Sequence, residues 1–541
     1  MPAFRPSTAM TTAATAAAVA ATLLLSACST TAPPVAAARP MDNIDTLVVI
    51  YAENRGFDTL YGLFPGANGI PGVNPSAKGV YHPQVDFDGA VLPVLPPTWG
   101  GVTAAGQHPV ITQAQSADMP NRPFPIDGQG GFDLDAAVVT RDLVHRFYNN
   151  QMQIDGGRND RFPTYSDAGG LAMGYYDGSK MRMWQLARQY TLADNFFIAA
   201  FGGSFLSHQF LICACAPRYP HADTSPAKKL ISKIDVDANG NFVRLTPATG
   251  APTSVLDGPP KYANDGTLTP PDASGMYYAV NTMQPPYQPS NVPPAADDAD
   301  RLYADPSSPY TLPPQTQKNI GDLLSAKGVS WAWYAGAWNT TLQAATGNRK
   351  FAKPVPNFQF HHQPFNYFAD MDPVTHAAYR AQHLKDFDAS FLQDAAAGRL
   401  PAVSFYKPQG NLNQHAGYAS VAAGDAHIAE VIDKLQHSPQ WPHMMIVVTY
   451  DENGGFWDHA APPKIDKWGP GSRVPAIIIS PYARKGYVDS TLYDTTSILR
   501  FITHRWSLPV LDGIAARDRA IRARDGRPIG DLSEALQSSP D

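Results

Sequence analysis

Residues 444–463 read MMIVVTYDENGGFWDHAAPP. The first five are an unbroken apolar run rich in β-branched residues. Such a run fits a strand buried on both faces, as in a parallel sheet. It stops at Asp451, Glu452 and Asn453, followed by Gly454 and Gly455. Adjacent carboxylates at the end of a buried strand repel each other and require a cation or a set of donors. In open α/β sheets, ligands sit at the carboxyl ends of strands. The stretch therefore predicts a metal or phosphate site. The pattern recurs near the start, where the apolar residues 47–52 run into Glu53 and Asn54. Two buried strands, each ending in an acid beside an Asn, can converge on one ion.

Around these two strands, helix and strand patterns alternate. Helices are expected at 316–327, stopped by Gly328, and at 388–397, ended by Gly398. Asp425 is expected to cap a helix with Ile428, Val431, Ile432 and Leu435 on one face. Asp494 is expected to cap another, through Ile498, Ile502 and Trp506. Strands are expected at 329–334, 402–406 and 474–479. Earlier, a helix is expected over 142–152, carrying His145, and another over 180–190, capped by Ser179. A strand is expected over 192–200. Repeated helix–strand pairs predict an α/β fold, a mostly parallel central sheet sandwiched by helices. Residues 60–130, rich in Gly and Pro, read as irregular loops around a site. Residues 217–318 read as a loop-rich insertion, and 512–541 as a polar, peripheral tail.

Residues 1–28 read as an export signal: Arg5, then an alanine-rich apolar stretch at 13–25, too short and weak to span a membrane. Leu25-Ser26-Ala27-Cys28 resembles the bacterial lipobox, with Cys28 as the lipidated first residue. Ordinary cleavage beside an incidental cysteine is the alternative. The expected address is exported, periplasmic or cell-surface, with membrane contact through Cys28. Residues 29–42 form a Pro/Ala-rich tether, leaving 43–511 as the catalytic unit. The net charge of −6, with no basic stripe, gives no expectation of nucleic-acid binding. Cys213 and Cys215, one residue apart, are expected as buried thiols because a bridge between them is strained.

Residues 201–212, FGGSFLSHQFLI, place two glycines before an apolar run that can be a buried helix. Ser204 then sits at the helix N-terminus, facing a bound phosphate or serving only as an N-cap. His361, His362, His415 and His459 follow strand ends. Phosphoester hydrolysis needs a nucleophile, cations for the charge on the equatorial oxygens, and a proton for the leaving group. This inventory supplies all three, with hard oxygen ligands suited to a divalent cation.

The motifs AENRGFDTLYGLFPGANGI (52–70), HRFYNNQMQIDGG (145–157), MGYYDG (173–178), GGSFLSHQFLI (202–212), FQFHHQPFNYF (358–368), NQHAG (413–417) and TYDENGGFWDHAAPP (449–463) together resemble a bacterial phosphoesterase family. That family unites secreted acid phosphatases with phospholipases C, within the alkaline-phosphatase-like superfamily. The resemblance implies a nucleophile at Ser204 bound to one divalent metal ion. It implies Glu53, Asn54, Ser204, Asp451 and Glu452 as metal ligands. It implies His145, His361, His362 and His415 as phosphate contacts or acid–base residues. Phospholipase-like members have Gly-Pro-Thr then Pro-Asn-Arg at the nucleophile. Gly-Gly-Ser and FQFHHQPFNYF here resemble the acid-phosphatase branch instead, with Ser207 where that branch has Asn. The expected substrate is therefore a phosphate monoester, cleaved best at mildly acidic pH if the histidines must be protonated. The alternatives are a phospholipase C or other phosphodiesterase, and a tethered binding protein without turnover.

Overall fold

The structure, a computed structural model, describes residues 39–346 and 357–540. The expected export signal, Cys28 and residues 29–38 of the tether lie outside the described residues. The last tether residues are not loose chain. Pro40–Asn43 form a 3-10 turn with Met41 buried, closed by an Arg39–Asp42 ion pair.

The two apolar runs form the strands Thr46–Ala52 and Met444–Tyr450, with every residue buried. They are the central neighbours of an eight-stranded sheet. Its order is Leu384–Asp386, Trp331–Ala335, Val403–Lys407, Thr46–Ala52, Met444–Tyr450, Ala476–Ile479, Thr191–Ala193, Tyr487–Asp489. Helices pack in two groups. One gathers Arg182–Gln189 and Leu392–Ala396 around Val421–Gln436, and the other gathers Ile320–Lys327 and Thr496–Arg505 around Ser204–Cys213. The expected α/β architecture is the one observed. Only Ala476–Ile479 runs antiparallel to both its neighbours among these described strands. No helix lies between it and Met444–Tyr450. A parallel return requires a crossover, so the chain comes back directly in the opposite sense.

Several local expectations change. The helix expected over 142–152 begins only at Phe147, so His145 lies in extended chain ahead of Phe147–Ile154. The strand expected over 192–200 is two short pieces, Thr191–Ala193 and Phe196–Phe197. Neither Ser179 nor Asp425 caps its expected helix. Arg182–Gln189 starts later, and Asp425 accepts from the N–H groups of Arg182 and Met183, at 2.8 and 2.9 Å. Val421–Gln436 is capped by the Ser420 side chain instead. A capping carboxylate thus crosses between helices, a partnership no local pattern announces.

Cys213 and Cys215 are joined by a disulfide, against the expectation of free thiols. Ala214 adopts the left-handed conformation (φ 51°) at the helix end and turns the chain back, so the two Cα atoms are 5.1 Å apart. That separation lies within bridging range. The chain beyond 512 is not peripheral either. Asp512–Arg522 is a helix whose Arg517 is 2% exposed and pairs with Asp494 and Asp466. Between 217 and 318 the chain forms short strands, 3-10 turns and loops. No helix among the described residues is long and apolar enough to cross a membrane.

Candidate active site

Thr46–Ala52 and Met444–Tyr450 pair in register, Thr46 opposite Met444 through Ala52 opposite Tyr450. Glu53 and Asp451 therefore leave the sheet level with each other. On the other side of Thr46–Ala52, Val403–Lys407 pairs in the same sense and ends in Lys407. Three adjacent strand ends thus deliver three buried charges. The N–H groups of Asn54 and Glu452 both donate to Asp451 Oδ1, at 3.1 and 2.9 Å. Asn54 is left-handed (φ 58°), a conformation asparagine tolerates better than most residues. Gly454 packs so close that a Cβ there would lie 2.4 Å from the Asn54 carbonyl oxygen. The two ligand-bearing turns interlock at that contact.

Ser204 comes to the same point from a different element. Gly202 makes the turn before it, where a Cβ would meet the Arg146 carbonyl oxygen at 2.6 Å. Gly203 takes the flanking position, and Ser204 is the first residue of the helix Ser204–Cys213. Ser204 is therefore no N-cap. Its hydroxyl donates to Glu452 Oε1 at 2.9 Å and lies 3.2 Å from Asn54 Oδ1. A carboxylate oxygen of Glu53 and one of Asp451 fall within 4.8 Å of each other. Glu53, Asn54, Ser204, Asp451 and Glu452 thus converge.

The histidines divide. His145 donates Nδ1–H to the Leu143 carbonyl at 2.5 Å and presents Nε2 to Glu452 at 3.7 Å. His415 presents Nε2 to Glu53 at 3.7 Å and stacks on Tyr418. His362 contacts Glu53 directly, and His361 lies beside it with rings 5.0 Å apart. Asp142 lies 3.5 Å from His145 Nδ1 and 4.0 Å from His415 Nδ1. His459 does not join them. It donates to Asp58 at 2.7 Å, in a separate buried network with Asp458 and Arg473.

Burial sets the electrostatics. It disfavours the imidazolium of His361, His362 and His415, whose pKa values all fall below the ordinary histidine value. His145 is disfavoured by burial too, but the negative charges of Glu452 and Asp142 outweigh it and raise its pKa to about 9. His145 alone of these four holds a proton at neutral pH, which departs from the expectation of several protonated imidazoles. Burial raises Asp451 and Glu452, with the charge of Glu53 adding to it at Asp451 and the charge of Asp451 at Glu452, while Lys407 foremost overcomes burial and holds Glu53 well below the usual carboxylate range.

A divalent cation fits these residues. Asp451 Oδ2 and Glu452 Oε2 are buried without a hydrogen-bond partner. Buried oxygens left so are costly unless an ion takes them. Carboxylate, amide and hydroxyl oxygens are also the donors a hard cation prefers. The site opens into a cavity of about 380 Å³ lined by Asp142, His145, Ser204, His361, His415 and Tyr418 among others.

Sequence reasoning missed three residues here. Lys407 lies 2.9 Å from Glu53 Oε1, and the expected strand stopped one residue short of it. His208, one helical turn after Ser204, bonds the Ser204 carbonyl at 2.7 Å. Tyr418 donates to Glu53 Oε2 at 3.0 Å, immediately after the NQHAG motif.

Residues 44–509 match the model of the phosphoesterase family. The chain is 23% identical over 528 residues to phospholipase C A of Mycobacterium tuberculosis (strain CDC 1551 / Oshkosh), covering 92% of this chain and 78% of that protein. It is 32% identical over 164 residues to the non-specific phospholipase C6 of Arabidopsis thaliana, covering 23% of this chain and 32% of that one. Among solved structures, a protein in the alkaline phosphatase superfamily from Vibrio parahaemolyticus matches at 15% identity and TM-score 0.21, covering 40% of this chain and 53% of that chain. That score is too low to add to what the sheet itself establishes.

Proposed function

The chain belongs to the phosphoesterase family and is a phosphoric ester hydrolase, and from that premise we propose that it cleaves phosphodiesters in the manner of a phospholipase C, with Ser204 as nucleophile. The observation that carries the reaction is the Ser204 hydroxyl, held 2.9 Å from Glu452 at the start of a helix and beside the proton-bearing His145. What supports the diester is the match, along 92% of the chain, to a protein named as a phospholipase C.

Glu452 Oε1 accepts the hydroxyl proton as Ser204 Oγ attacks phosphorus. The ester oxygen departs opposite and takes a proton from His145, leaving a phosphoserine ester. Water then attacks that phosphorus and gives a proton to the now neutral His145, while Glu452 returns its proton to Ser204 Oγ. His361 lines the same cavity and is placed to contact a phosphate group there. Glu53, Asn54, Ser204, Asp451 and Glu452 would hold one divalent cation. When bound, it lowers the pKa of the serine hydroxyl and offsets charge on the phosphoryl oxygens.

A second reading, monoester hydrolysis of the acid-phosphatase kind, is favoured by the Gly-Gly-Ser turn and the FQFHHQPFNYF motif. A site of about 380 Å³ also suits a small phosphate ester. Parallel assays on p-nitrophenyl phosphate, bis-p-nitrophenyl phosphate and phosphatidylcholine vesicles decide between them. The diester reading requires faster turnover on one of the latter two, and a rate confined to the monoester reverses the assignment. We also propose that the chain is exported and anchored through Cys28, supported by Leu25-Ser26-Ala27-Cys28. Mass spectrometry of the mature N-terminus tests it, and an unmodified terminus elsewhere sinks it.

A further inference from the structure

A second cavity, of about 720 Å³, opens at the other end of the helix Phe147–Ile154 from His145. Sites that hold small organic molecules run to about 300–1,000 Å³. It shares no lining residue with the cavity at Ser204. Segments far apart in sequence build it. The helix ends at a left-handed Asp155 (φ 45°), and Gly156 and Gly157 stay left-handed (φ 67° and 105°). Lys464 closes over that turn, so that a Cβ on Gly156 would lie 3.7 Å from its Nζ. Phe242 and Val243 come from the hairpin strand Phe242–Leu245, and Arg524 from just past the helix Asp512–Arg522.

The lining divides into two chemistries. Met152, Ile154, Phe201, Phe242 and Val243 offer hydrocarbon, with the Phe242 ring braced 4.7 Å from that of Tyr148. The charged residues are Asp155 and Asp466 against Arg161, Lys464 and Arg524. Both acids are already committed, Asp155 to Arg158 and Arg161, and Asp466 to Arg517. Among the described residues, Lys464 and Arg524 pair with no carboxylate. The Arg524 guanidinium donates to the Lys464 carbonyl at 3.2 Å, which sets the two cationic residues side by side. Adjacent cations without a counter-charge attract an anion. Uncharged polar groups are few, and Gln151 and Asn241 already donate side-chain N–H groups to the Phe147 carbonyl and to Asp237. A sugar or a nucleotide would leave donors and acceptors unpaired here.

We propose that this cavity binds an amphiphile with one anionic head on a hydrocarbon chain, either a long-chain carboxylate or a lysolipid phosphate. The head meets Lys464 and Arg524, and the chain lies along Met152, Phe201 and Phe242. Neither an uncharged chain nor a bare anion satisfies both walls. The inference goes beyond the reaction at Ser204 and does not depend on which ester is cleaved there.

Isothermal titration calorimetry tests it, with every ligand kept below its critical micelle concentration and each fold checked by circular dichroism. Laurate is titrated into wild type, and lauroyl lysophosphatidate into Ser204→Ala so that no phosphate ester is consumed. One molecule of at least one of the two should bind per chain, and the tighter of them identifies the head group. Lys464→Gln combined with Arg524→Gln should weaken binding about tenfold or more, as expected when two charged partners are lost. Val243→Asp, at an exposed wall position, should weaken it as well. Monolaurin, with the same chain and no charge, should bind more weakly than either anion. Turnover of bis-p-nitrophenyl phosphate by the double variant should match wild type, and His361→Ala, in the Ser204 cavity, should leave the amphiphile's affinity unchanged. No binding of either anion, equal binding by wild type and both cavity variants, or equal affinity for monolaurin overturns the proposal. Loss of binding in a folded His361→Ala chain overturns it too, because that places the amphiphile in the other cavity.

Discussion

The backbone N–H of Asn54 donates to Asp451 Oδ1 at 3.1 Å, across 397 positions of sequence. One hydrogen bond thus ties the turn after the first strand to the turn after the late central strand. The first turn brings Asn54 to Ser204 and the second brings Glu452. Any change that lets one turn move relative to the other separates ligands that must act together.

Ser204→Ala should fold as wild type and lose about three or more powers of ten in kcat. Acid-quenched wild-type enzyme should carry one phosphoserine-linked adduct in the Ser204 peptide by mass spectrometry. Near wild-type turnover in the alanine variant would rule out the covalent route for any substrate.

Dialysis against a strong chelator should abolish turnover and lower the melting temperature together. A cation that binds only the folded state adds about 3–4 kcal/mol at 100 to 1,000 times its dissociation constant. Glu53→Ala and Asp451→Ala should each mimic the chelated state and show no thermal response to added metal. Full metal content with full activity in both variants contradicts the shared site.

Asp370 gives a pH signature remote from the active centre. Burial, and then the charge of Asp322, raises its pKa to about 6, and neither oxygen has a hydrogen-bond partner. The folded state therefore favours the protonated acid. Its stabilising contribution is complete below the unfolded value near 3.9 and is lost as pH rises through about 6. Asp370→Asn should match wild type in urea unfolding at pH 4 and exceed it by about 2 kcal/mol at pH 7.5. An equal difference at both pH values would show that the ionisation is not responsible.

Arg517 reaches back from the last long helix to Asp494 at 2.7 Å and Asp466 at 3.1 Å. Its Nη2 also donates to the Ala199 carbonyl at 2.6 Å, close to the Ser204 turn. Arg517→Met should cost about 3–5 kcal/mol, because it strands a buried carboxylate at Asp494. Removal of residues 512–541 should cost at least as much. A truncated chain with an unchanged unfolding midpoint would return this segment to the periphery.

The sequence by itself determined the sheet's centre and the residue types at its edge. Apolar runs at 47–52 and 444–448 can only be buried, and the acids that end them mark where a ligand must sit. The helix after Gly203 was legible for the same reason, since its pattern is carried by adjacent residues. The tertiary structure alone decided the partners. It put Lys407 against Glu53, sent the Asp425 carboxylate to a helix 242 positions away, and took His459 out of the site to Asp58. It turned Ala476–Ile479 antiparallel and closed the Cys213–Cys215 bridge through a left-handed Ala214. Hydrophobic periodicity is a property of neighbouring residues, so it survives in the string. A buried charge is compensated by whatever the fold brings within a few ångströms, and distance along the chain says nothing of that.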